Sequence, residues 1–180
     1  MCMIVLAGAS ASGKTEVAKI LAKKYNIKKV ITTTTRAKRL NEVDGVDYFF
    51  ISNEEFLKRI KEDRFVEYTE YNGNYYGSSK DQIAPNKCIV IDPKGMKAYR
   101  NLKDESVVVF FLDSLEETRY QRMIRRGDDE EKAKSRIIHD RIAFDEEHTK
   151  DVDYHIDSET KTLDEVAELI YQTYKNHLNK

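Results

Sequence analysis

Several absences narrow what this chain can be. It has only two cysteines, Cys2 and Cys88, far apart and without C-x-x-C or Cys/His ligand spacing. That excludes a structural zinc site and favours reduced thiols in a cytoplasmic protein. His139, His148, His155 and His177 show no metal-ligand spacing either. With two prolines and seven glycines in 180 residues there is no linker and no low-complexity stretch, so the chain reads as one folded unit. The 31 basic and 32 acidic residues leave a net charge of −1. No global field therefore draws the protein to a nucleic-acid polymer or an anionic membrane, and any basic function must be local. No apolar run approaches transmembrane length. The first one, about seven residues, lacks a charged leader and runs straight into a glycine-bearing loop, so it reads as a strand rather than a signal peptide. The length suits one α/β domain with small insertions, and leaves monomer and homodimer both open.

What the chain does carry is concentrated near its start. Gly8-Ala9-Ser10-Ala11-Ser12-Gly13-Lys14-Thr15 is a complete G-x-x-x-x-G-K-[ST] loop, preceded by Met3-Ile4-Val5-Leu6-Ala7 and followed by an amphipathic stretch. A buried strand delivers such a loop, successive backbone N–H groups converge on phosphate oxygens, and the following helix points its positive end at the same anion. Lys14 adds a cation for the terminal phosphates. Thr15 adds a hydroxyl able to ligate Mg²⁺. The eight residues therefore predict a nucleoside triphosphate site.

Downstream the periodicity alternates. Val17, Ile20, Leu21 and Tyr25 predict a helix from about Lys14 to Lys24, and Lys28 to Thr33 a short β-branched strand. Tyr48 to Ile51 reads as a strand, and Ser52 with Glu55 as a capping box opening a helix to about Glu62. Phe65 to Tyr71 and Tyr75-Tyr76 read as strands around the turn Asn72-Gly73. Lys87 to Ile91 and Val107 to Leu112 are continuous apolar runs of the kind found in parallel strands covered on both faces. Ser114 with Glu117 predicts a capped helix ending near Arg125, and a charged helical stretch occupies roughly 129 to 146. Tyr154 to Asp157 reads as the last strand. Thr162 with Glu165 caps a final helix whose apolar stripe is Leu163, Val166, Leu169, Ile170 and Tyr174. The alternation predicts an α/β fold with a doubly wound parallel sheet and a small β-rich lobe inserted between its second and third strands.

Two further segments are long enough to be specific. Thr32 to Phe50, with Arg36, Arg39, Glu42, Gly45 and Asp47-Tyr48 in order, and Gly73-Asn74-Tyr75-Tyr76-Gly77-Ser78 resemble the nucleoside monophosphate-binding lobe of guanylate kinases. The resemblance covers nearly the whole chain, from the phosphate loop through Arg136. It implies a phosphate-loop kinase core (1–33, 86–125 and 142–180), a nucleoside monophosphate-binding lobe (34–85) and a helical lid (126–141). It also implies that Arg36, Arg39, Tyr48 and Tyr76 hold the phosphate of GMP while Thr32, Glu67, Ser78 and Asp92 address the guanine. The chemistry agrees: a phosphate monoester needs forked cationic donors and hydroxyls, and guanine, with O6 an acceptor and N1 and N2 donors, matches a hydroxyl and a carboxylate. Taken singly, Arg36 and Arg39 read equally well as solvated loop charges, Glu67 as the polar face of an edge strand and Tyr75-Tyr76 as packing. Their joint order favours the site.

Arg125-Arg126-Gly127 followed by Arg136 resembles the lid of nucleoside monophosphate kinases, and Arg126 and Arg136 are the expected lid arginines; Arg122 and Arg125 lie at helical positions that face either the same cleft or, for Arg122 above all, solvent, and Arg141 has no counterpart. The chain departs from the family pattern at Val90, where an aspartate is typical, and at Lys94, where a glutamine is. Ala9 and Ala11 stand where the family often has proline and glycine. The expected activity is ATP-dependent phosphorylation of GMP, and of dGMP, with Mg²⁺. Two alternatives remain: a kinase of the same fold acting on another phosphorylated acceptor, such as a ribose phosphate, and a non-catalytic interaction domain. The intact Lys14-Thr15 argues against the latter.

Overall fold

The computed structural model describes residues 3–40, 42–71, 73–91, 93–102, 105, 107–144, 149 and 152–178. Its centre is β1 (Met3–Ala7), in which all five residues are buried. β1 lies between β7 (Lys87–Val90) and β8 (Val107–Asp113); β2 (Lys28–Lys29) flanks β7 and β9 (Tyr154–Asp157) flanks β8. Every pairing in this five-stranded sheet is parallel. Alternate side chains go to opposite layers. Ile4, Leu6, Val108 and Phe110 meet Val17 and Leu21 of α1 (Lys14–Tyr25) and Val166, Ile170 and Tyr174 of α6 (Leu163–Leu178). Met3, Val5, Val109 and Phe111 meet Met96 and Tyr99 of α3 (Pro93–Asn101).

The chain leaves this sheet after β2 and builds a second one. β4 (Phe49–Phe50), β3 (Thr33–Thr34), β6 (Asn74–Ser79) and β5 (Phe65–Tyr71) lie side by side in that order. They are covered by α2 (Asn53–Lys61), whose fully buried Phe56 stacks on Phe65 at 4.4 Å and on Tyr75 at 5.3 Å. A third small cluster, Met123, Ala133 and Ile137, joins α4 (Glu116–Arg125) to α5 (Glu130–Ala143).

Three local expectations are corrected. The run Lys28 to Thr33 is not one strand: Val30 N–H still bonds Cys88 O at 2.8 Å, but Thr33 and Thr34 pair with Gly77 and Tyr76 of the second sheet. One β-branched run thus serves two sheets, with residues 30–32 crossing between them. Ser114 does not cap α4, which begins after Leu115; the Glu159 carboxylate, 44 residues on, takes the Leu115 N–H at 3.1 Å instead. In α6 the buried stripe is Val166, Ala167, Ile170 and Tyr174, while Leu163 and Leu169 are each 38% exposed. Leu163 is turned toward Gly13, where an added Cβ would lie 3.0 Å from its side chain. The other two capping boxes form. Ser52 accepts from Glu55 N–H at 3.1 Å, and Thr162 and Glu165 exchange backbone and side-chain bonds in both directions. Cys88 is buried with its thiol free; Cys2 and His148 lie outside the described residues, as does Asn72.

Candidate active site

The phosphate loop joins the C-terminal end of β1 to α1. Gly8 and Gly13 hold φ of 142° and 100°, and a Cβ on Gly8 would sit 2.9 Å from both Leu112 O and Ser12 Oγ. Neither position tolerates a side chain. Ala11 is also left-handed, at φ 61°, so its methyl costs on the order of 1 kcal/mol where glycine would be free of strain. The Lys14 ammonium folds over the loop and donates to Gly8 O at 2.6 Å and Ala9 O at 2.8 Å. Burial pushes its pKa down to about 8, opposed by the charge of Asp140. Asp140 itself comes from α5, where it is buried: its Oδ2 accepts from Ser10 N–H at 2.6 Å and from Arg119 Nη1 at 3.3 Å. A carboxylate buried this deeply needs both partners. Together they tie the phosphate loop to α4 and α5.

Beside the loop opens a cleft of about 440 Å³ lined by Lys14, Thr15, Arg122, Arg126, Lys161 and Leu163, among others. Of the two readings open for Arg122, the structure bears out the cleft-facing one over the solvated one. Its guanidinium donates to Ala11 O at 3.3 Å and Ser158 O at 2.9 Å, so its plane is held at the cleft wall. Helical position allows the facing, but not the partners, because both are distant in sequence. Arg126 and Arg136 are brought together by a carboxylate that the sequence reading had not singled out. Asp128 accepts from Arg126 Nε at 2.9 Å and Nη2 at 2.6 Å, and from Arg136 Nη1 at 3.1 Å. The hydrogen bonds from Arg126 hold the Asp128 carboxyl below its usual range. Arg141 pairs instead with Glu116 at 2.9 and 2.5 Å, bridging α5 to α4.

In the second sheet, Arg36, Tyr48 and Tyr76 converge. The Arg36 guanidinium lies 5.6 Å from the Tyr48 ring centre and 5.8 Å from that of Phe50. The Tyr48 and Tyr76 rings meet edge to face at 6.3 Å, and Tyr76 also acts on Arg36 electrostatically. Glu42 organises the loop: it accepts from Arg36 Nη2 at 2.7 Å and from Arg39 N–H at 2.9 Å. The Arg39 side chain is exposed beside it. Gly45, at φ 74°, supplies the turn that brings its N–H to Tyr48 O at 2.8 Å.

Glu67 is aimed by an irregularity in β5. The register shifts between Phe65 and Glu67, so that Phe65 faces Ser79 while Glu67 faces Ser78, the geometry of a bulge that re-aims a side chain. Ser78 Oγ, fully buried, donates to Glu67 Oε1 at 2.7 Å. Gly77 beside it makes the approach possible, since a Cβ there would lie 3.0 Å from Glu67 O and from the Phe65 ring. Thr32 is half-buried in the crossing between the sheets, its carbonyl accepting from Phe49 N–H at 2.9 Å. Asp92 lies outside the described residues. Val90 ends β7 opposite Leu6, its side chain packed into the layer under α1.

Two clusters with cationic side chains thus form, one around Lys14 at the end of the central sheet and one around Arg36 beside the second. Residues 1–173 match the family model described as guanylate kinase. A guanylate kinase of Wolinella succinogenes is 36% identical over 163 residues, 84% of this chain and 74% of that one. One from Anaplasma phagocytophilum is 35% identical over 180 residues, covering 93% and 85%. A crystal structure of the guanylate kinase from Anaplasma phagocytophilum superposes with a TM-score of 0.68 at 26% identity, over 99% of this chain and 87% of that one. With its phosphate loop, its bulged Glu67–Ser78 pair and these relatives, the chain belongs to the guanylate kinase family.

Proposed function

We infer that this chain performs the ATP-dependent phosphorylation of GMP with residues 8–15 as donor site, a lobe of residues 34–85 as acceptor site and a lid of residues 126–141. The core is then 1–33, 86–125 and 142–180. The observation that carries the reading is the bulge that sets Glu67 against Ser78 in the sheet that also carries Tyr76, with Arg36 and Tyr48 gathered beside it. A base reader and a phosphate clamp share one small lobe.

In this reading, backbone N–H groups of the loop and Lys14 cradle the ATP phosphates, and Arg122 offers its planar face to the adenine in the cleft beside α1. Arg36, Arg39, Tyr48 and Tyr76 hold the GMP phosphate, with Glu42 keeping Arg36 aimed. Thr32, Glu67, Ser78 and Asp92 address the guanine. The acceptor phosphate is already anionic, so the in-line transfer needs no general base. When the lid closes, Arg126 and Arg136 exchange part of their interaction with Asp128 for the oxygens of the migrating group and exclude water.

Mg²⁺ enters with ATP. No cluster of three His, Cys, Asp or Glu able to hold a metal exists among the described residues. The Thr15 hydroxyl, at the start of α1 in the cleft, suits an ion whose other ligands are phosphate oxygens and water. Bound there, the metal would neutralise phosphate charge. Val90 stands where a carboxylate is typical, so the expected result is a high Mg²⁺ requirement that Val90→Asp lowers without changing acceptor choice. Titrating activity against free Mg²⁺ at fixed ATP checks this, and an unchanged requirement in the variant would assign the whole burden to Thr15, phosphates and water. A coupled assay across GMP, dGMP, AMP, UMP, CMP and ribose phosphates tests the reading as a whole. Turnover is expected for the two guanine nucleotides alone; turnover of a ribose phosphate at the rate of GMP would leave the kinase chemistry and remove the base reader. No described helix is long and apolar enough to cross a membrane; a cytoplasmic setting, as monomer or homodimer, belongs to the same proposal.

A further inference from the structure

Within the phosphate loop a turn is closed by Ser12 N–H on Ala9 O at 3.2 Å, and its third residue is Ala11, at φ 61°. Turns with a left-handed third residue ordinarily place glycine there. Alanine keeps this conformation only where its surroundings hold it. Three contacts from α4 and α5 do so. Asp140 Oδ2, on α5, takes the Ser10 N–H at 2.6 Å, just before the left-handed residue. Arg122 Nη1, on α4, donates to Ala11 O at 3.3 Å, just after it. The Ala11 methyl packs against the Met123, Ala133 and Ile137 cluster that joins the two helices.

Among these contacts the carboxylate is the costly one. The side chains of Arg119 and Asp140 are only 6% and 9% exposed, and an apolar pair of similar volume would fill the space without the desolvation penalty of two charges. What an apolar pair lacks is an acceptor for the Ser10 N–H. Asp140 Oδ2 carries both bonds, since it also accepts from Arg119 Nη1 at 3.3 Å, and Arg119 is fixed in turn by donating its Nε to Ser114 O at 3.3 Å. We propose that Asp140 is a positioning residue of the donor site: held by Arg119, it fixes the Ser10 peptide and so keeps the loop in the left-handed turn at Ala11 in which its N–H groups converge on phosphate. The carboxylate acts on the nucleotide only through the loop. The inference rests on the reading of residues 8–15 as donor site given above.

Two variants separate this role from that of a buried ion pair. Arg119→Met/Asp140→Leu removes one charge of each sign and keeps the volume, so the fold should survive, but the Ser10 N–H loses its acceptor. The Kd for ATP, measured by calorimetry, is expected to rise about tenfold, the order of one hydrogen bond to a charged acceptor, while the Kd for GMP stays put. Asp140→Asn gives up the charge and keeps an oxygen able to take both bonds. It should melt lower than the parent yet bind ATP within about threefold of it, since the loop keeps its hydrogen bond. Adding Ala11→Gly to the double variant should recover most of the lost ATP affinity, because glycine adopts the left-handed turn without support; a lost charge or a general loosening would not be repaired in this way. An unchanged Kd for ATP in the double variant, an equal rise in both Kd values, an Asp140→Asn protein that binds ATP as weakly as the double variant, or no recovery with Ala11→Gly overturns the proposal. Lys14→Met, titrated in parallel, separates the two failures. If it weakens ATP while the double variant does not, only the role of Asp140 falls; if neither touches ATP, the donor site itself has failed.

Discussion

Lys14→Met is expected to leave a folded protein whose turnover is at least about a hundredfold lower, the scale of losing one preorganised electrostatic contact to the transition state. Methionine keeps the length and apolar stem of the side chain and deletes only the ammonium that now lies 2.6 and 2.8 Å from the loop carbonyls Gly8 O and Ala9 O. Folding does not depend on that charge. The Lys14 pKa is lowered from 10.5 to about 8, chiefly by burial, so the folded state binds its proton less tightly than the unfolded chain does. Such a group penalises folding at pH values below about 8, and the penalty is relieved as pH rises toward 10.5. The methionine variant should therefore melt no lower than the parent at pH 7, and its lost activity cannot be ascribed to unfolding. The same lowered pKa sets a pH dependence. ATP phosphates favour the charged lysine, so the apparent affinity for ATP should fall as pH rises through about 8, with proton uptake on binding. Calorimetric titration in buffers of different ionisation heat measures that uptake. Lys14→Arg should abolish it, because a guanidinium stays charged throughout. Full turnover in Lys14→Met would remove the phosphate loop from the mechanism.

What was legible in the chain beforehand divides along the range of the interactions involved. The strand, loop and helix from Met3 to Tyr25 are written in adjacent residues, and so are the caps at Ser52 and Thr162, whose partners lie three residues away. The ordered motifs 32–50 and 73–78 likewise pointed to Arg36, Tyr48 and Tyr76, which the structure brings together. The misreadings all have a distant partner. Ser114 loses its capping role to Glu159 and Leu163 turns to Gly13; the carbonyls of Ala11 and Ser158 that settle Arg122 at the cleft are equally remote. Periodicity records which face of a helix is apolar, but not which remote carbonyl meets a guanidinium. Glu42 and Asp128 illustrate a different limit. Glu42 stands inside the 32–50 motif and Asp128 directly after Arg125-Arg126-Gly127, yet their use as the anion that holds arginines in place emerges only once the side chains are positioned.

Replacing Glu67 tests the substrate itself and should reshape specificity more than any other single change. In the proposed complex Glu67 accepts from guanine N1–H and N2–H while Thr32 donates to O6. Adenine lacks the N2 amine and its N1 carries no proton, so with AMP the Glu67 carboxylate loses both donors and faces a lone pair, while the Thr32 hydroxyl must turn from donating to accepting. A buried polar group deprived of its partner costs roughly 1–3 kcal/mol, more when charged, and a site built to hydrogen-bond its substrate can reject the analogue by about 10⁴-fold. GMP should therefore exceed AMP in kcat/KM by several orders of magnitude in the parent. Glu67→Gln keeps the shape of the side chain and can still accept from Ser78, which the bulge between Phe65 and Glu67 sets against it. Its amide, however, has one accepting oxygen in place of two and turns an NH₂ toward the base. One of the two guanine donors then faces a donor. The expected outcome is a fall in kcat/KM for GMP much larger than any change for AMP, with the KM for ATP unaffected because the donor site lies on the other sheet. Steady-state kinetics with both acceptors read this directly. Undiminished GMP kinetics in Glu67→Gln would leave the phosphate loop a kinase site and take the guanine reading away from the bulged strand.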